Sequence, residues 1–189
     1  MFDCSAAVPH MTHGKGCGCA TMPGRAGRRA MLGLLAFGAG AVALADDAAA
    51  ASGNYEAMLL NCIDPRFTTH GFMYMTSRGM RDNYSHFVIA GGPIGAVHPR
   101  FEAWHAAFWE NLAVTVQLHR IKRVVAFTHR DCGAAKLAFG DAAVADRGRE
   151  TAHHAEALRT FRAEVGRRQP GLGTLIGIMD LDGTVEVVA

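Results

Sequence analysis

Three things are scarce in this 189-residue chain, and each scarcity removes a class of function. No apolar run reaches the roughly 20 residues that a bilayer span requires. The stretch "AMLGLLAFGAGAVALA" (30–45) stops at sixteen. Excess positive charge is missing from most of the chain. Four of the 19 basic residues and one of the 17 acidic residues fall in 1–45, giving +3 there and −1 over 46–189. No basic patch remains to argue for nucleic acid. Cysteine is sparse as well: of five, only Cys62 and Cys132 lie beyond residue 45. Two thiols make at most one bridge, too few for a disulfide scaffold. Internal repeats are also absent, and 46–189 is the length of one domain.

The N-terminal quarter has the layout of an export signal. Arg28 and Arg29 precede the apolar run, and small residues Ala43 and Ala45 stand just before Asp46. A basic segment, an apolar segment and an A-x-A site form a cleavable leader. The arginine pair resembles a twin-arginine signal. The expected division is therefore a signal peptide at 1–45 and a mature domain at 46–189, exported to the periplasm. The alternative is an uncleaved N-terminal membrane anchor. His10, His13, Cys17 and Cys19 are soft-metal donors, but "HMTHGKGCGC" reads as an unstructured extension.

Periodicity gives the mature domain an α/β fold, with a mainly parallel sheet, flanking helices and a C-terminal strand-turn-strand. "EAMLLNCI" (56–63) reads as a buried strand ended by Asp64-Pro65, and 66–81 as an irregular helix. "HFVIA" (86–90) reads as a second buried strand, closed by the loop "GGPIG". Phe101, Trp104, Phe108, Leu112 and Val116 recur at helical spacing behind Pro99. "IKRVVAFTH" (121–129) is a third strand. Over 149–168 a second amphipathic helix turns Ala152, Ala155, Leu158, Phe161 and Val165 inward and leaves His153-His154 solvated. "TLIGIMD" and "TVEVV" close the chain around Leu181-Asp182-Gly183.

Two strand ends carry unusual chemistry. The first presents Cys62, Asp64 and Arg66; the second presents His129, Asp131 and Cys132. Ligand sites in parallel sheets collect at carboxyl ends of strands. Two thiolates and an imidazole form a soft donor set that suits zinc and leaves a fourth position open. A Cys62–Cys132 disulfide is the competing reading, and it leaves His129, Asp64 and Arg66 unexplained. The glycine loop at 91–95 lacks the Lys-Ser/Thr of a phosphate cradle, so it reads as a close backbone approach to the site.

"CIDPR" and "HRDCGA", with a helix and the strand "RVVAFT" between them, resemble the Cys-x-Asp-x-Arg and His-x-x-Cys-Gly motifs of the β-class carbonic anhydrases. "GIMDLDGTVEVV" is similar to that family's closing strand-turn-strand. The resemblance spans roughly 56–189. It implies zinc on Cys62, His129 and Cys132, one ion per chain, with Asp64 and Arg66 as an acid–arginine dyad. It also implies a homodimer or higher homo-oligomer; the leader, once cleaved, leaves an expectation of no stable membrane association.

The activity so implied is reversible hydration of CO2 to bicarbonate and a proton by zinc-bound hydroxide. Asp64 accepts a hydrogen bond from the attacking water, and Arg66 holds Asp64 off the metal. Were that pair to break, Asp64 would become a fourth ligand and close the site. Two alternatives keep the same fold: hydrolysis of carbonyl sulfide or carbon disulfide, and a non-catalytic zinc-binding protein. The sequence departs from the family where "VIAGGPIG" replaces an Arg-Asn-Ala-Gly-Asn segment, where Val114 and Thr115 replace a Glu-Tyr-Ala-like segment, and in the short stretch before the first strand. His70, His86 and His98 are further candidates, for proton relay.

Overall fold

The computed structural model describes residues 53–189. The leader at 1–45, with Arg28, Arg29 and the cysteines Cys4, Cys17 and Cys19, lies outside the described residues. Among the described residues no helix is long and apolar enough to cross a membrane.

Strand β1 (Ala57–Asn61) is buried along its whole length. That follows from its position between β2 (Tyr84–Val88) and β3 (Arg123–His129), both parallel to it. Strand β4 (Gly173–Met179) continues the parallel sheet beyond β3, and β5 (Val185–Val187) closes it antiparallel, in the order β2-β1-β3-β4-β5. The Asp180 N–H donates to the Thr184 carbonyl at 2.8 Å, making the expected final turn.

Alternating side chains of the central strands enter two different cores, which is why these strands read as continuous apolar runs. Met58, Leu60, Val124 and Ala126 face α3 (Glu102–His119) and α6 (Arg147–Arg168), meeting Phe108, Leu112, Leu158 and Phe161. Ala57, Leu59, Val125 and Phe127 face the side of α1 (Thr68–Ser77), meeting Phe67 and Met75. Among the described residues there are also three short α-helices, α2 (Pro93–Val97), α4 (Gly133–Phe139) and α5 (Asp141–Val144), and two 3-10 turns.

Three local expectations change. The second strand is not buried; as the sheet's edge it has one neighbour, and Val88 is 46% exposed. The segment expected as a plain loop at 91–95 turns directly into α2. On α6, Ala152 is exposed, while His154 is fully buried rather than solvated. The inward face of that helix runs Glu150, His154, Ala157/Leu158, Phe161 and Val165, the i, i+4, i+7 rhythm of a helical stripe.

Candidate metal centre

The parallel pairing of β1 with β3 brings their carboxyl ends side by side. Cys62 follows the last residue of β1, and His129 is the last residue of β3. Cys132 caps the N-terminus of α4 three residues on. One ligand atom from each of these three buried residues lies within 4.8 Å of the other two. Both cysteines are free, so the Cys62–Cys132 disulfide is not formed.

The imidazole is set for an ion. Nδ1 of His129 donates to the Arg130 carbonyl at 2.8 Å, because a carbonyl oxygen only accepts. That bond fixes the tautomer and leaves Nε2 as a lone pair, buried and without a hydrogen-bond partner. A metal-ligating histidine commonly spends its other ring nitrogen in this way. Phe67 stacks on the ring, with centroids 4.0 Å apart, and fixes its plane.

The thiols polarise each other. A hydrogen bond from Cys132, assisted by the Gly91 N–H at 3.2 Å from Sγ, pulls the Cys62 thiol well below its usual value. The hydrogen bond with Cys62, burial and the Cys62 charge push Cys132 up. A divalent cation bound at the two sulfurs would displace their remaining thiol protons. An orphaned imidazole nitrogen beside two sulfurs fits a soft, tetrahedral cation.

The glycine approach is real. A Cβ on Gly92 would stand 2.7 Å from the Phe127 carbonyl and 3.4 Å from the Cys62 nitrogen, and φ there is +54°. Only glycine lets this turn press against both strand ends.

Asp64 and Arg66 form a forked pair. Arg66 Nη2 reaches Oδ2 at 2.7 Å, Nε reaches Oδ1 at 3.1 Å, and the Arg66 backbone N–H also donates to Oδ1 at 3.0 Å. The guanidinium holds the Asp64 carboxyl down at about 2. A cleft of about 380 Å³ opens beside the pair, lined by Cys62, Ile63, Asp64, Pro65, Ala90, Phe101, Trp104, Gly133, Ala134 and Leu137. Trp104, 38% exposed and stacked on Phe101, is thus a wall of this cleft more than a core residue.

Other residues were not assigned roles from the sequence. Asp131 has φ +53°, a left-handed conformation that costs a non-glycine residue roughly 1–2 kcal/mol. Its N–H donates to Glu150 Oε1 at 2.9 Å. Its carboxylate takes Arg66 Nη1 at 3.1 Å and Lys136 Nζ at 2.6 Å, and its carbonyl takes Arg66 Nη2 at 3.2 Å. Arg130 and Glu150 are a buried ion pair. The "HRDC" spacing showed charged residues here, but apart from Lys136 the partners named above, Glu150 and Arg66, lie 19 to 65 residues away in sequence. Of the relay candidates, none lines the cleft. His98 accepts the Arg100 N–H at 3.2 Å as a cap, His86 sits on the edge strand, and His70 packs on the Gly183 turn.

A mainly parallel α/β sheet holding a buried Cys-His-Cys group at adjacent strand ends defines an α/β protein with a candidate metal centre. More particularly, the fold is that of the β-class carbonic anhydrases. The chain superposes on a carbonic anhydrase of Streptococcus mutans with TM-score 0.50 and 18% identity, covering 73% of this chain and 84% of the other. A β-carbonic anhydrase of Trichomonas vaginalis gives TM-score 0.50 and 12% identity over 72% and 84% of the two chains. No protein-family model matches. In sequence the chain is similar to uncharacterised proteins of Rickettsia conorii and Rickettsia bellii. The first is 28% identical over 131 residues, covering 69% of this chain and 70% of the relative; the second is 25% identical, covering 69% and 80%.

Proposed function

We propose that the protein is a zinc-dependent carbonic anhydrase that interconverts CO2 and bicarbonate. The observation that carries this reading is the juxtaposition of the Cys62–His129–Cys132 group with a carboxylate already engaged by arginine. Cys62, His129 and Cys132 would hold the ion. When bound, zinc supplies the Lewis acidity that brings the pKa of water to about 7.

Asp64 stays ionised because Arg66 grips it, so it acts as an acceptor that orients a water's proton and leaves the lone pair toward the cleft. Arg66 restrains Asp64 from turning toward the thiols. Pro65, Ala90, Phe101 and Trp104 give the cleft apolar walls, which suit a small, uncharged, linear substrate. The same walls favour a second reading, hydrolysis of carbonyl sulfide or carbon disulfide. A purely structural metal site has no use for the Asp64–Arg66 fork, which counts against a non-catalytic role. The reading extends to a homo-oligomeric, exported protein whose segment 1–45 is removed as a twin-arginine signal.

Stopped-flow CO2 hydration by the zinc-loaded protein, beside an Asp64→Ala variant, tests it. The expected result is rapid turnover that falls about 10²–10⁴-fold in the variant, the range for loss of a positioned proton acceptor. Equal and negligible CO2 rates, with zinc present, refute the reading. Sulfide release from carbonyl sulfide or carbon disulfide under those conditions would select the second reading.

A further inference from the structure

Asp131, the second of the two residues between His129 and Cys132, is the junction of the whole site. Asp131 adopts a left-handed turn that points its N–H inward. Glu150, 7% exposed in the first turn of α6, accepts that N–H through Oε1 at 2.9 Å. Glu150 Oε2 takes Arg130 Nη1 at 3.2 Å, and Arg130, 4% exposed, also reaches Thr151 Oγ1 at 2.7 Å and Glu186 Oε2 at 3.1 Å. On its other side Asp131 carries Arg66 through both its carbonyl and its carboxylate, and Arg66 carries Asp64.

Buried ion pairs are poor devices for stability, since apolar residues of the same volume commonly do as well. Their geometric specificity is what an apolar pair lacks. Here Glu150 of the pair holds the backbone amide of Asp131, which lies between His129 and Cys132 and carries Arg66. Outer groups that orient ligands in this manner govern metal affinity.

We infer that Glu150, braced by Arg130, is a positioning residue that presets the turn carrying His129 and Cys132 and, through Asp131, the seat of Arg66. This rests on the metal-site reading given above. Glu150 touches neither ion nor substrate; it acts through the Asp131 amide.

Two double variants isolate that amide. Arg130→Met with Glu150→Gln removes the ion pair but keeps an acceptor for the Asp131 N–H. Arg130→Met with Glu150→Leu removes both. Zinc affinity of the full chain is measured by chelator competition, alongside Co2+-thiolate absorption. The Leu variant is expected to bind zinc about 10–100-fold more weakly than the Gln variant, with a shifted Co2+ spectrum. Glu164→Gln, on the exposed face of the same helix, is expected to match the wild type.

Equal zinc affinity in the two double variants overturns the inference and leaves the metal site standing. A wild-type chain that takes up no zinc refutes the metal site itself. Should the double variants fail to fold, amide exchange on the wild type decides the matter. Slow exchange at Asp131 supports the clamp, and exchange at the rate of a solvent-facing loop overturns it.

Discussion

The ring of Phe67 lies on the imidazole of His129, with centroids 4.0 Å apart and planes 28° from parallel. The two residues come from the two motif-bearing strand ends, so this stack ties the segment that carries Cys62 to the one that carries His129. Phe67 is also 1% exposed and belongs to the core on the α1 side of the sheet. Phe67→Ala should therefore lower unfolding stability by about 3–5 kcal/mol, the usual cost of deleting a buried phenylalanine ring. Urea unfolding measures the stability. Phe67→Leu, which refills most of the volume without a flat face, should recover much of the stability but less of the zinc affinity.

Arg66→Ala frees the Asp64 carboxylate from its forked partner. Turnover should drop by about 10²-fold or more, in the range for loss of a catalytic proton acceptor, because an unrestrained carboxylate no longer presents its lone pair to the cleft. The double variant Asp64→Ala/Arg66→Ala should be scarcely worse than either single variant, since residues acting as a unit are not additive. Additive losses in CO2 hydration would show that the two act separately.

His154 predicts a pH effect with a definite sign. Burial, with the Arg130 charge nearby, pushes its pKa down to about 3; both ring nitrogens lack hydrogen bonds, and Glu150 Oε1 stands 4.0 Å from Nε2. The unfolded chain, with an ordinary histidine near 6.5, binds the proton more readily. Stability is therefore complete above about pH 6.5 and declines as pH falls toward 3. At pH 5 the loss should be about 2 kcal/mol. Denaturant unfolding at pH 7 and 5 measures it. In His154→Leu that component should disappear, whereas any contribution from metal release is common to both proteins.

Metal removal should be visible at the thiols. The zinc-loaded protein is expected to hold about one zinc per chain, with Cys62 and Cys132 unreactive to a thiol reagent, since bound thiolates are protected. Stripping with a chelator should expose two reactive thiols and, on adding diamide, allow them to form a disulfide. A Cys62–Cys132 disulfide in the zinc-replete protein would contradict the scheme.

Much of the candidate site was legible because its candidate ligands sit at strand ends flanked by apolar runs. "LLNCIDPRF" and "AFTHRDC" each show a strand stopping where chemistry begins, and both do so in the structure. The close approach at Gly92 was legible too, from the glycine pair after β2. His154 was misread because two adjacent histidines look solvated. Neighbours on a helix differ by about 100° in direction, so one can face water while the next faces the core. Ala152 was placed inward for the same reason, as small apolar residues leave the register of a helical stripe poorly defined. The β2 segment looked buried because its composition is apolar, while its edge position depends on strand order, which no local pattern encodes.

By itself the sequence determined the main strands and the two long helices, the parallel α/β class, the two strand ends and the five candidate residues Cys62, Asp64, Arg66, His129 and Cys132. Each follows from local periodicity or from spacing of a few residues. Only the tertiary structure decided which strand lies at the edge, which tautomer His129 adopts, and how Asp131 joins Glu150 to Arg66. Those relations connect groups up to 65 residues apart in the chain. They arise from how the sheet and helices pack, and a linear pattern of residue types does not specify that geometry.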